Sequence, residues 1–211
     1  LAAGLFSRPG EYLIEGADAS VYVAIGRNIE RTGGIVSADP LVDLMPPELR
    51  PSFFPADRRG APLVTRLPGG LRIDADGRVA PSFFHLLPVW IAIATAVAGP
   101  YGGYFVNVVL ALLAVVVAWL IGRRVWSPAA GGVAAALLAV NFGQIWHARL
   151  PSSEMLAQFL LLSGIFFTVL AWDQRARVAG ACAGAAIGLA AFTRIDALLL
   201  MVPLAAGWLV L

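Results

Sequence analysis

The 211-residue chain is 59% apolar and only 13% charged, with a mean hydropathy of +0.80, which excludes an ordinary soluble domain and points to a membrane protein. Its net charge of +2 is carried by arginine without a basic stripe, which excludes nucleic acid as a partner. The lone cysteine, Cys182, excludes an intramolecular disulfide framework and leaves the redox compartment open.

Residues 1–83 hold most of the charged side chains and read as a region in water or at an interface, whereas 84–211 contain only three acids, Glu154, Asp173 and Asp196. "LAAGL" reads as the tail of a membrane helix. The chain begins without Met and stops inside an apolar run, so it is expected to be an N-terminal piece of a longer protein. Residues 18–31 form an amphipathic helix: Val21, Tyr22, Ile25 and Ile29 share one face, opposite Arg27, Asn28, Glu30 and Arg31, and Gly33-Gly34 ends it. The Pro/Gly-rich stretch 35–82 suggests short strands around turns at Pro68-Gly69-Gly70 and Asp76-Gly77.

From Val79 to Gly122 no Asp, Glu, Lys or Arg occurs. Residues 86–98 are too short to cross a hydrocarbon core of about 30 Å and read as an interfacial helix. Uncharged runs at 103–122, 125–146 and 155–172 have spanning length, 178–193 is marginal, and a further run, 197–211, is cut short. Short loops then alternate sides: "GRR" at 122–124 and "DQRAR" at 173–177 on one, "HARLPSSE" and "TRID" on the other. Their arginines put the first pair in the cytoplasm. Small residues at four-residue spacing, Gly131/Ala135/Ala139/Gly143 and Gly180/Gly184/Gly188, read as close helix contacts.

Several polar groups carry both an ordinary and a functional reading. Asp18 is placed to cap the amphipathic helix, and Glu154 falls in the first turn of a helix capped by Ser152, where negative charge suits the helix dipole. Yet Glu154, Arg149 and His147 sit at a bilayer edge, where ionisable groups mark pairs, pathways or sites. His85 suits an interface, and Arg194 suits either a local pair with Asp196 or a lipid phosphate gripped bidentately. No Walker loop, dinucleotide fingerprint, CxxC or HExxH occurs.

The order of these parts resembles the membrane-embedded GT-C glycosyltransferases, especially the branch of aminoarabinose transferases, protein O-mannosyltransferases and rhizobial lipopolysaccharide glycosyltransferases. The resemblance lies in "DASVYVAIGRNIERTGG", "FHLLPVWIAIATAVAG", the basic turn at Arg123-Arg124, "HARLPSSEMLAQFLLLSGIFF" and "AGACAGAAIGLAAFTRIDALLLMVP". It implies an all-α polytopic helix bundle whose extracytoplasmic first loop holds two interfacial helices and a small irregular or β insert. It also implies an integral protein of a bacterial or archaeal cell membrane that transfers a sugar from a polyprenyl-phosphate donor to a lipid, glycan or protein acceptor at the external face. Asp18 and Glu154 are then the expected catalytic carboxylates, Arg149 and Arg194 the donor-phosphate ligands, and Tyr22, His85 and His147 accessory groups. Ala19 stands where many members carry a second acid, which argues against a divalent metal ion at that position and leaves metal use open. The alternative is a transporter or flippase using the same carboxylates as substrate or proton sites.

Overall fold

The computed structural model describes residues 1–10, 18–38, 44–49, 65–67, 71–73, 78–197 and 199, and its contacts divide the chain into two units. One comprises Leu1–Glu11, Phe84–Leu87 and Tyr104–Leu211; the other comprises Tyr12–Phe83 and Pro88–Gly103. The first residues join the apolar bundle, and most of the interfacial helix joins the region before it.

In the second unit, α2 (Asp18–Thr32) follows the expected amphipathic segment almost to the residue. Its buried stripe is Ala19, Tyr22, Val23, Ile25 and Gly26, while Val21 and Ile29 are only half-buried. The face is rotated because the helix is approached at Gly26, where an added Cβ would stand 2.6 Å from Ile91 of α3 (Leu86–Ala98). The insert forms a small antiparallel sheet in the order β1-β4-β3-β2, from Ser37–Ala38 (β1), Thr65–Leu67 (β2), Leu71–Ile73 (β3) and Arg78–Pro81 (β4). Leu67 pairs with Leu71 and Ile73 with Val79, so hairpins close where the Gly-rich turns were expected. The turns at Pro68-Gly69-Gly70 and Asp76-Gly77 themselves lie outside the described residues.

The first unit contains α1 (Ala2–Phe6), α4 (Val106–Val125), α5 (Pro128–Val140), α6 (Phe142–Arg149), α7 (Ser153–Gln174) and α8 (Arg177–Ala191). Two stretches, Gly102–Val125 and Ser153–Gln174, are helices long and apolar enough to cross a membrane. The expected uninterrupted run 125–146 is instead two helices bent by 59°. Asn141 makes the break: its backbone is extended and its side chain accepts a hydrogen bond from the Gln144 N–H at 3.2 Å, so one residue ends α5 and caps α6. At the other end Ser127 caps α5 through the Ala130 N–H, with Pro128 at its first position. The 178–193 run is the short helix α8, and the expected span 197–211 falls almost wholly outside the described residues.

Ion pairs at both ends fix how the helices run. Arg124 at the end of α4 donates to Asp173 near the end of α7 at 2.7 Å. Arg194, after α8, reaches Glu154 in the first turn of α7. The α4 and α7 helices are therefore parallel, and α8 returns antiparallel to α7. The four short loops pair as their alternation predicts: "GRR" meets "DQRAR", and "HARLPSSE" meets "TRID".

Small residues bring the helices close, though not all in the expected ladders. An added Cβ at Gly131 would lie 2.5 Å from the Trp119 carbonyl oxygen, and one at Gly122 would lie 2.7 Å from Gly131 Cα, so α4 and α5 touch backbone to backbone. Of the Gly180/Gly184/Gly188 stripe only Gly180 meets α7, where an added Cβ would lie 3.9 Å from Ala171; among the described residues nothing lies within 4 Å of a Cβ at Gly184 or Gly188. Ala179, Ala183, Ala186 and Ala190 are the buried face of α8, and Gly164 of α7 receives Ile187. Gly131→Ala is expected to lower stability by about 1–3 kcal/mol, since backbone must shift to admit the methyl. Gly132→Ala, with nothing within 4 Å, should leave stability unchanged or raise it; unfolding midpoints of the two purified variants check this.

Candidate functional site

The site is built on a break in helical structure. Between α6 and α7 the chain is extended at Leu150 and Ser152, so carbonyls at the end of α6 lose their intrahelical partners. Asn107, 1% exposed near the start of α4, supplies the missing donor. Its Nδ2 group shares two N–H donors among the carbonyls of His147, Leu150 and Ser152, at 3.2, 2.6 and 2.8 Å, and Leu150 also accepts from the Ser152 N–H at 2.7 Å. One turn earlier in α6, the Gln144 side-chain amide donates to the Ala111 carbonyl at 3.4 Å. The polar turn is thereby pinned to α4, with Pro151, Ser152 and Ser153 buried beneath it.

Ser152 occupies the N-cap position of α7 but makes no capping bond with its side chain, contrary to expectation. Its Oγ instead lies 3.3 Å from His147 Nδ1. Glu154 then projects from the first turn of α7 with two different oxygens. Oε1 accepts a hydrogen bond from Arg194 Nη1. Oε2 is buried 3.8 Å from His147 Nδ1 and has no hydrogen-bond partner among the described residues.

Arg194 completes the cluster. Besides Glu154 it holds Asp196 in a fork, with Nε donating to Oδ1 at 2.9 Å and Nη2 to Oδ2 at 3.0 Å. These bonds use three of the five N–H groups that a guanidinium carries. Hydrogen bonding to Arg194 holds the Asp196 carboxyl below its usual value, and the same bonds push Arg194 further into its charged form. One cation thus stands between two carboxylates, with a histidine beside the inner one.

This charged cluster forms the mouth of an open groove of about 520 Å³. Ala157, Leu161 and Leu162 of α7 give it an apolar wall, and Gln158 lies one turn below Glu154 with its Oε1 unpartnered among the described residues. A polar mouth over an apolar wall along a helix of spanning length suits an amphiphile, head at the mouth and tail along the helix.

Of the residues singled out in sequence, Glu154, Arg194 and His147 come together. Arg149 does not join them: its Nε and Nη2 donate to the Leu5 carbonyl at 2.9 and 2.6 Å, and its own carbonyl accepts from the Gly10 N–H at 3.0 Å. The guanidinium satisfies an orphan carbonyl at the end of α1 and ties that segment to α6. Asp18 is exposed at the first residue of α2, in the other unit. Tyr22 is buried edge-on against Phe83, with centroids 5.1 Å apart. His85 precedes α3 with a buried Nε2 that has no hydrogen-bond partner among the described residues. Among the described residues no three His, Cys, Asp or Glu side chains converge as metal ligands. Sequence reasoning missed Asn107, although a lone amide in an otherwise apolar spanning run is a signal of polar contact between helices.

Comparison of the chain with family models, with curated proteins and with solved structures gave no match.

Asn107→Leu keeps the volume of the side chain and removes its donors. It is expected to cost about 1–3 kcal/mol, the loss of hydrogen bonds to the turn being offset in part by removal of an Oδ1 that is buried without a partner among the described residues, and to speed tryptic cleavage after Arg149. The Arg194–Asp196 pair has an acid limit. Because the Asp196 carboxyl titrates lower when folded, its stabilisation is complete above the ordinary carboxylate range and disappears as pH falls through the lowered value, below about pH 4. Stability measured over that interval should fall less steeply for Asp196→Asn than for the wild type.

Proposed function

We propose that this chain is the N-terminal part of a polytopic GT-C-type glycosyltransferase of a bacterial or archaeal cell membrane. It moves a sugar from a polyprenyl-phosphate donor to a lipid, glycan or protein acceptor at the extracytoplasmic face. The observation that carries the reading is the groove along α7, whose mouth is Glu154, Arg194 and Asp196 and whose wall is Ala157, Leu161 and Leu162. A polyprenyl tail needs an apolar path between membrane helices, and its phosphate needs a cation at the bilayer edge. The concentration of Arg123, Arg124, Arg175 and Arg177 at the opposite end of the bundle supports a cytoplasmic location for that end and an external one for the groove mouth.

In this reading the bond from the anomeric carbon to the phosphate oxygen breaks as the acceptor attacks. Charge accumulates on the departing polyprenyl phosphate, and Arg194 stabilises it through the N–H groups that the more exposed Asp196 gives up to it. The acceptor hydroxyl or amine loses its proton to a carboxylate, the role given to Asp18. Glu154 holds Arg194 in place and, as the second acidic group, orients the donor or acceptor. His147, beside Oε2, is accessory, and any divalent ion would use ligands beyond those described.

The test is turnover of a lipid-linked sugar by the full-length protein. Asp18→Asn and Glu154→Gln should each leave membrane insertion intact and lower transfer by about 10²-fold or more, the usual scale for loss of a general base or charge-orienting group. Normal turnover in both variants sinks the assignment.

A further inference from the structure

The end of the bundle away from Glu154 holds chemistry that sugar transfer does not use. Arg123 and Arg124 lie in the last turn of α4, Arg175 follows α7, and Arg177 opens α8. These four guanidiniums face a single carboxylate in the same two turns, Asp173, and all five residues are exposed. Arg124 donates to Asp173 at 2.7 Å, which joins the turns and leaves Arg123, Arg175 and Arg177 as the excess charge. The Arg123 guanidinium lies over Trp119, 5.2 Å from the ring centroid. Two more indoles stand at the same level, with Trp126 85% and Trp172 59% exposed.

Each of these features selects the same partner. Indole rings settle at the depth of lipid headgroups. Guanidiniums present paired N–H donors matched to phosphate oxygens. Excess positive charge next to a spanning helix attracts anionic lipid at about fivefold per arginine, the factor for about 1 kcal/mol each. We infer that this end of the bundle is a binding site for anionic phospholipid headgroups. Arg123, Arg175 and Arg177 hold the phosphate, Trp126 and Trp172 fix its depth, and the packing of α4 against α7 keeps the two turns together. The inference depends on the chain lying in a bilayer and is independent of sugar transfer.

The experiment places the full-length protein in bilayer discs of equal parts phosphatidylcholine and phosphatidylglycerol, releases it, and counts retained lipids by native mass spectrometry. The wild type should retain phosphatidylglycerol in preference. Arg175→Gln with Arg177→Gln should reduce that preference about 25-fold, as two arginines at the stated factor give. Asp173→Asn should raise it, because it removes the carboxylate that opposes these arginines and frees Arg124; this gain cannot come from misfolding. Equal retention of the two lipids by the wild type overturns the site, as does an unchanged preference in the double variant or a preference in Asp173→Asn no higher than the wild type's. Displacement of the lipid by inorganic phosphate would show a site for free anions and overturn the lipid assignment.

Discussion

The amide of Asn107 is the interaction on which the arrangement at the groove depends. An extended stretch between two helices exposes carbonyl groups, and in an apolar bundle water is not at hand to satisfy them. A single buried side chain serves three of them, at His147, Leu150 and Ser152. That fixes where α6 stops and where α7 starts. His147 and Glu154, on the two sides of the turn, are consequently held within 3.8 Å of each other. Arg194 then docks onto a carboxylate whose position is already set, and through it the end of α8 is tied to the start of α7.

The ion pairs at the two ends of the bundle do different work from the contacts between them. Arg124 and Asp173 are 39% and 40% exposed, and a pair that open to solvent contributes no more than about 1 kcal/mol. Its effect is on register, since it joins α4 and α7 at one end while Arg194 and Glu154 join α7 and α8 at the other. The close packing comes from glycine and alanine: Gly131 against the Trp119 carbonyl, Gly164 against Ile187, and the alanine face of α8. For helices apolar enough to lie in lipid, where burial of apolar surface gives no drive to associate, close approach and dispersion supply the attraction.

This division explains what could be read in the sequence. Helix positions follow from apolar runs and breakers, and α2, α3, α4 and α7 lie within a few residues of their expected bounds. The pairing of short loops follows from alternation of the chain across the bundle. The break at Asn141 was hidden because its neighbours are apolar on both sides, and only the local bond to Gln144 reveals that the residue caps a helix. Gly184 and Gly188 show that four-residue spacing defines a face without saying what it meets, since only Gly180 of that stripe lies against α7. The bond of Arg149 was not legible because sequence marks a guanidinium's charge but not the carbonyl it will satisfy; the Leu5 oxygen lies 144 positions away. Of the candidate site, the carboxylate and the arginine were legible, and the amide that holds their turn was not.

The two carboxylates on Arg194 are not equivalent, and the difference bears on how an anion could be accommodated. Asp196 is two residues away in the same turn and its side chain is 55% exposed, so water can replace Arg194 as its partner at little cost. Glu154 is less exposed, at 34%, and its Oε2 is already buried beside His147. Losing Arg194 would leave that carboxylate without its cation in a poorly solvated position, which is much the more expensive exchange. On the glycosyltransferase reading, an arriving phosphate therefore displaces Asp196 and leaves the Glu154 pair intact. Asp196 keeps the guanidinium oriented while the groove is empty, and Glu154 keeps it at the mouth when the groove is filled.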